Sequence, residues 1–161
     1  MVCKQIQRSE VKRQKGEKMM TKDDKAKSKT STDTKDAALG VRWLDDVAEH
    51  DFAAAEAYLS LRLDSAQVKE LVKDLRAATV TTRRANDILR ACGREPLPLD
   101  DPGVRRDLLK AVSGEKLSPI LFVTLRQGAD IADGYHRASL TYYLNPFGDV
   151  PLRIASELRK K

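Results

Sequence analysis

From Val41 to Leu63, apolar residues recur at Leu44, Val47, Ala48, Phe52, Ala55 and Leu59, the three-and-four spacing of one buried helix face. Trp43 and Tyr58 are expected to pack beside that face. Asp64, with Gln67 three residues on, reads as the start of a second helix whose inward positions are Val68, Leu71, Val72 and Leu75. Thr82 is the expected cap of a third helix, with Ala85, Ile88, Leu89 and Cys92 in the core and a stop at Gly93. Pro96 and Pro98 break helical structure between Arg94 and Asp101. Asp101 as cap and Pro102 at the first helical position then open a fourth helix, with Val104, Leu108, Leu109 and Val112 as its inner stripe and Gly114 at its end.

Beyond Gly114 the period changes. Ile120 to Leu125 is a compact apolar run entered through Pro119 and left through Gln127-Gly128, which predicts a buried strand and a turn. Ala129 to Ala132 forms a short return strand. Tyr135 to Leu144 has helical spacing, with Ala138, Leu140 and Tyr142 available for packing, and Asn145-Pro146-Phe147-Gly148 ends it. Val150 to Ile154 is a last strand whose Pro151 suggests a sheet edge or a strand start. The pattern predicts an α+β fold, a small mixed sheet with helices preceded by a mostly helical extension. Its expected divisions are a tail over 1–36, the extension over 37–95 and the sheet-containing domain over 96–157.

Charge divides the chain differently. The formal net charge is +6, yet residues 1–35 hold eleven of the 30 basic residues and five of the 24 acidic ones, which leaves nineteen of each beyond them. The excess charge therefore belongs to a polar tail too poor in apolar residues to offset the entropy of ordering, and that tail reads as disordered. Met19 and Met20 offer alternative starts of translation. Such a tail suits a weak, non-specific contact with nucleic acid. Arg83, Arg84, Arg105 and Arg106 interleave with Asp87, Glu95, Asp100, Asp101 and Asp107, so they read as solvated helix faces rather than a DNA-reading surface. No apolar run is long enough to cross a bilayer and no secretory leader is evident, so the expectation is a cytoplasmic protein without membrane contact. Cys3 and Cys92 form neither a disulfide framework nor a metal-ligand spacing.

The chemistry concentrates in Asp133-Gly134-Tyr135-His136-Arg137, at an expected helix start. The first amides of a helix lack intrahelical partners and the dipole is positive there, so such a loop suits an anion. Gly134 permits close approach of a ligand. Arg137 has the geometry for bidentate phosphate binding, and His136 is a hydrogen-bond donor or, when neutral, a base. Asp133 fits either a divalent metal bridging phosphates or a helix cap. Tyr135 reads as a wall residue that stacks on a base. Lys116 and Ser118 are placed near the same pocket by the order of elements alone, and His50 reads as a surface helix residue.

Taken in order, Leu117-Ser118-Pro119-Ile120-Leu121-Phe122-Val123, Ile131-Ala132-Asp133-Gly134-Tyr135-His136-Arg137 and Val150-Pro151-Leu152-Arg153-Ile154 resemble the ParB/sulfiredoxin-like fold, over roughly residues 100–155. That fold includes the nucleotide-binding domain of chromosome-partition proteins, the sulfiredoxins and a group of free-serine kinases. In the partition proteins a glycine, an acidic residue and two arginines hold nucleotide phosphates; Gly134, Tyr135, His136 and Arg137 stand in those places, and Ser139 replaces a later arginine. In sulfiredoxins the reactive cysteine occupies the position of Tyr135, so the resemblance implies no sulfinic-acid repair here. The kinase members share the aspartate, glycine and histidine of the loop.

The resemblance thus implies a nucleotide, ATP or CTP, or another phosphate ligand bound by Gly134, Tyr135, His136 and Arg137. Mg2+ on Asp133, and phosphoryl transfer or nucleotide hydrolysis using Asp133 and His136, would follow. Two other readings are a non-catalytic module of the same fold that binds a protein partner, and a DNA-associated accessory protein that uses the basic tail.

Overall fold

A computed structural model of the chain describes residues 40–157, and the basic tail, with the nucleic-acid contact attached to it, lies outside them. The fold is α+β. A four-stranded sheet has the order β2-β6-β4-β5, formed by β2 (Thr81–Arg84), β4 (Ile120–Leu125), β5 (Gly128–Asp133) and β6 (Asp149–Ser156). β4 pairs antiparallel with β5 and parallel with β6, and β2 pairs antiparallel with β6. A separate parallel pair joins β1 (Arg42–Trp43) to β3 (Lys116–Leu117).

Helices cover both faces. α1 (Glu49–Leu59) and α2 (Ser65–Ala77) bury Phe52, Ala55, Leu59, Val68, Leu71, Val72 and Leu75 with Leu121, Val123 and Leu125. On the other face α3 (Ala85–Ala91) and α5 (Tyr135–Leu144) pack Ile88, Leu89 and Ala138 onto Ile120, Phe122, Ile131 and Leu152. Alternate residues of β4 thus enter opposite cores, which is why its sequence is apolar throughout. α4 (Pro102–Val112) lies on the far side of α5, where Val104, Leu117 and Leu140 form a third cluster. Arg153 ties the layers together: it donates to the carbonyl of Leu75 near the end of α2 and pairs with Asp46.

Several expectations require correction. The helix read from Val41 begins only at Glu49. Residues 42–43 pair with β3 instead, which leaves Leu44 on the surface and sends Trp43 into the second and third clusters. Thr82 caps nothing: Thr81–Arg84 forms an edge strand, and α3 starts at Ala85 without a side-chain cap. Cys92 is half-buried at the helix end rather than in the core. On α4 the inward residues are Val104, Leu108 and Ala111, while Leu109 and Val112 are 69% and 61% exposed. β6 is not an edge strand. Pro151 lies opposite Thr82, and pairing with β4 begins only at Leu152, so the proline belongs to the start of an interior strand.

Other expectations hold. Asp64 and Gln67 form a reciprocal capping box, Asp101 caps α4 ahead of Pro102, and α5 spans the expected ten residues. The segment expected as a helical extension is largely helical but also contributes β2 to the sheet. No helix among the described residues is long and apolar enough to cross a membrane.

Candidate functional site

β5 ends at Asp133 and α5 begins at Tyr135, so Gly134 makes the whole turn, with φ of 100°. Its missing side chain makes room for Arg137. A Cβ there would lie 3.1 Å from the Nε of Arg137 and 3.0 Å from Cγ1 of Ile120. Arg137 folds back beneath the turn, 9% exposed, and both of its terminal nitrogens donate within the protein. Nη1 donates to Oδ2 of Asp51 at 2.8 Å and to the carbonyl of Ser118 at 2.9 Å, and Nη2 donates to Asp133. One guanidinium therefore serves two carboxylates, with Asp51 only 4% exposed. Burial pushes the Asp133 carboxyl above its usual range, against the opposing pull of Arg137.

This triad forms one wall of a cavity of about 350 Å³. Gly134, His136 and Arg137 line it together with Lys116 and Ser118, as the order of elements suggested. Ser118 also accepts the amide of Ala48 at 2.9 Å, which fixes the start of α1 against the strand preceding β4. Two further contributions were not legible: His50 and Asp51 from α1, and Arg106, Asp107 and Lys110 from α4. Among the described residues no ion pair forms at Arg106, Lys110 or Lys116. Burial raises the Asp107 carboxyl, with Arg137, Lys110, His136 and Arg106 acting in the opposite direction.

The remaining loop residues divide. The His136 ring lies against the first turn of α4, its Nε2 3.5 Å from Oδ1 of Asp101, whose same oxygen caps that helix by accepting from Gly103 and Val104. Tyr135 is not among the cavity residues. Its hydroxyl donates to the carbonyl of Glu95, and Arg94 stacks over its ring at 5.4 Å. Ser139 is fully buried; its hydroxyl donates to the carbonyl of Tyr135 and accepts the amide of Leu97. Asp133 is not the cap of α5, since Gly134 holds that position and no side chain caps the helix. α1, which also opens on the cavity, lacks a side-chain cap too, though Glu49 and Asp51 occupy its first turn. α2 and α4 are both capped, by Asp64 and Asp101. Among the described residues no group of three His, Cys, Asp or Glu side chains is placed to hold a metal ion.

His50 is a surface residue as expected, 83% exposed at its side chain. Its Nε2 nevertheless lies 3.0 Å from Oδ1 of Asp51, and it lines the cavity. The signal for Asp51 was its position: a carboxylate between Ala48 and Ala55 on the inward stripe of a helix needs a buried cation, and Arg137 supplies it across 86 residues. Nothing in local spacing announced Arg106 or Lys110. Comparison with family models, with curated proteins and with solved structures found no match.

Proposed function

We propose that this chain is a ParB/sulfiredoxin-like protein that binds a nucleotide or related phosphate ligand in the cavity at the start of α5. One observation carries the reading. Lys116, Arg106 and Lys110, none ion-paired within the described residues, face the same cavity as a helix start that has a glycine at its N-cap and no side-chain cap. A volume of about 350 Å³ suits a small ligand.

The roles within the loop shift from those expected of it. Lys116, Arg106 and Lys110 supply the counter-charge, the amides of Gly134 to Arg137 and the His136 ring supply directed donors, and Arg137 holds the turn rather than the phosphate. Mg2+ fits as an ion carried in by the phosphates. Asp133 already accepts from Arg137, and among the described residues no group of three His, Cys, Asp or Glu side chains is placed to hold an ion without the phosphates. Phosphoryl transfer or nucleotide hydrolysis is the reaction class such a site would serve.

Isothermal titration of the full chain with ATP, ADP and CTP in magnesium tests the reading. Heat is expected with at least one of them, and Lys116→Ala should weaken that binding by about tenfold or more, the value of a lost charge-assisted hydrogen bond. Silence with all three overturns it. A second reading, a non-catalytic module that binds a protein partner, is favoured by the engagement of Arg137 within the protein and by the exposure of Leu109 and Val112 on α4. The reading as a DNA-associated accessory rests on the tail alone, and deletion of residues 1–35 should abolish DNA retention at low salt if it holds.

A further inference from the structure

His50 enters the cavity from α1 in an arrangement that a mere surface histidine does not need. Its Nε2 is 3.0 Å from Oδ1 of Asp51, and the other oxygen of that carboxylate accepts from Arg137 at 2.8 Å. Asp51 is 4% exposed and Arg137 9%, so the carboxylate is fixed by a buried partner while the imidazole projects into open space. With Nε2 facing Asp51, Nδ1 is the ring nitrogen left for a ligand, and in a neutral imidazole protonated on Nε2 it carries the lone pair. A buried carboxylate beside one ring nitrogen is the pairing that, once their hydrogen bond closes around a ligand, sets the tautomer and ring direction of a catalytic histidine. The cavity that His50 lines also presents Lys116, Arg106 and Lys110, which suit the charge of a transferring phosphoryl group.

We infer that His50 is the general base of this site and that the site hydrolyses the phosphoanhydride it binds, with Asp51 as the positioning residue. The inference rests on the phosphate-binding reading above. In the step, a water oxygen bonds to the terminal phosphorus as the bond from that phosphorus to the bridging oxygen breaks. The electron pair of the broken bond leaves on the nucleoside diphosphate. The proton of the water passes to Nδ1 of His50 and from there to solvent, so the products are the nucleoside diphosphate, inorganic phosphate and one proton. His136 is the other histidine of the cavity. Its Nε2 faces Asp101 and its ring is packed on Gly103, which leaves it suited to donate to the bound phosphate.

The test uses the full chain with MgATP and MgCTP, reading binding by titration calorimetry and turnover by phosphate release. The expected result is slow hydrolysis by the wild type. His50→Gln should lower kcat by about a hundredfold and leave nucleotide affinity within about twofold. His50 is on the surface, so this variant keeps the fold. His136→Gln should instead weaken binding. Nucleotide binding without hydrolysis, or hydrolysis whose rate survives His50→Gln, overturns the inference while leaving the binding reading intact. Absence of nucleotide binding overturns both.

Discussion

The imidazole of His136 occupies the space that a side chain at Gly103 would fill: a Cβ on Gly103 would lie 2.3 Å from Cδ2 and 2.4 Å from Nε2 of the ring. The start of α4 is thereby fitted to the start of α5, and Asp101 joins them by capping one helix and facing the histidine of the other. Gly103→Ala is expected to move His136 without unfolding the chain. The half-exposed ring can swing away, and alanine is favoured over glycine within a helix by about 1 kcal/mol. The expected outcome is a near-unchanged Tm, displaced imidazole resonances in NMR spectra and weaker nucleotide binding. Unmoved imidazole resonances would show that the two helices are not fitted through this pair.

Arg137 joins three separate parts of the chain, so its loss should be felt as stability before it is felt as binding. Arg137→Ala leaves the buried Asp51 and the half-buried Asp133 without their shared cation, a change expected to cost about 3–5 kcal/mol in urea denaturation. Adding Asp133→Asn removes one of the two stranded charges and should restore part of the loss. A double variant no more stable than the single one would show that the pair with Asp133 contributes little.

Gly134→Ala combines a left-handed backbone with crowding against Ile120 and Arg137. The expected destabilisation is about 2 kcal/mol, larger than for alanine at Gly93, which has a positive φ but open space around it. Equal losses at the two positions would assign the whole effect to the backbone and none to the seat of Arg137.

The pH dependence of stability should carry the mark of Asp107. Its carboxyl is raised in the folded protein, chiefly by burial, so the folded state holds this proton more tightly than the unfolded chain does. In the window from the ordinary value of 3.8 up to the raised one, the wild type therefore loses stability as pH rises. Asp107→Asn lacks that loss, and its Tm relative to wild type should climb from pH 3 to pH 6. A difference that stays flat, or falls, contradicts the burial of this group.

Asp130 offers a contrast between buried and exposed ion pairs. It is 1% exposed and accepts from Tyr58 at 2.6 Å, from Arg62, from Arg94 at 3.2 Å and from the amide of Ile131. Asp130→Asn should destabilise the fold by about 1–3 kcal/mol, since a buried, multiply hydrogen-bonded carboxylate is lost while Arg62 and Arg94 keep access to water. Glu49→Gln breaks a bidentate contact with Arg76 on the open surface and should leave the urea midpoint nearly unchanged.

The amino-acid pattern by itself determined what depends on neighbours in the chain. The capping box at Asp64 and Gln67, the Asp101-Pro102 helix start, the apolar run of β4 and the glycine at the entry to α5 each use contacts within a few residues, and each is visible in spacing. Tertiary pairing decided the rest. Thr81–Arg84 is a strand because β6 lies beside it, and residues 42–43 are extended because β3 does the same for them. A polar run such as Thr-Thr-Arg-Arg carries no period that distinguishes a sheet edge from a helix cap. The site shows the same division. A helix-entry loop with a glycine was legible at Asp133 to Arg137, whereas the side chain that holds Arg137 lies 86 residues earlier, and the cations of α4 reach the cavity only because that helix packs across α5. Spacing along a chain encodes which face of an element is buried; which buried charges meet is decided by how the elements pack.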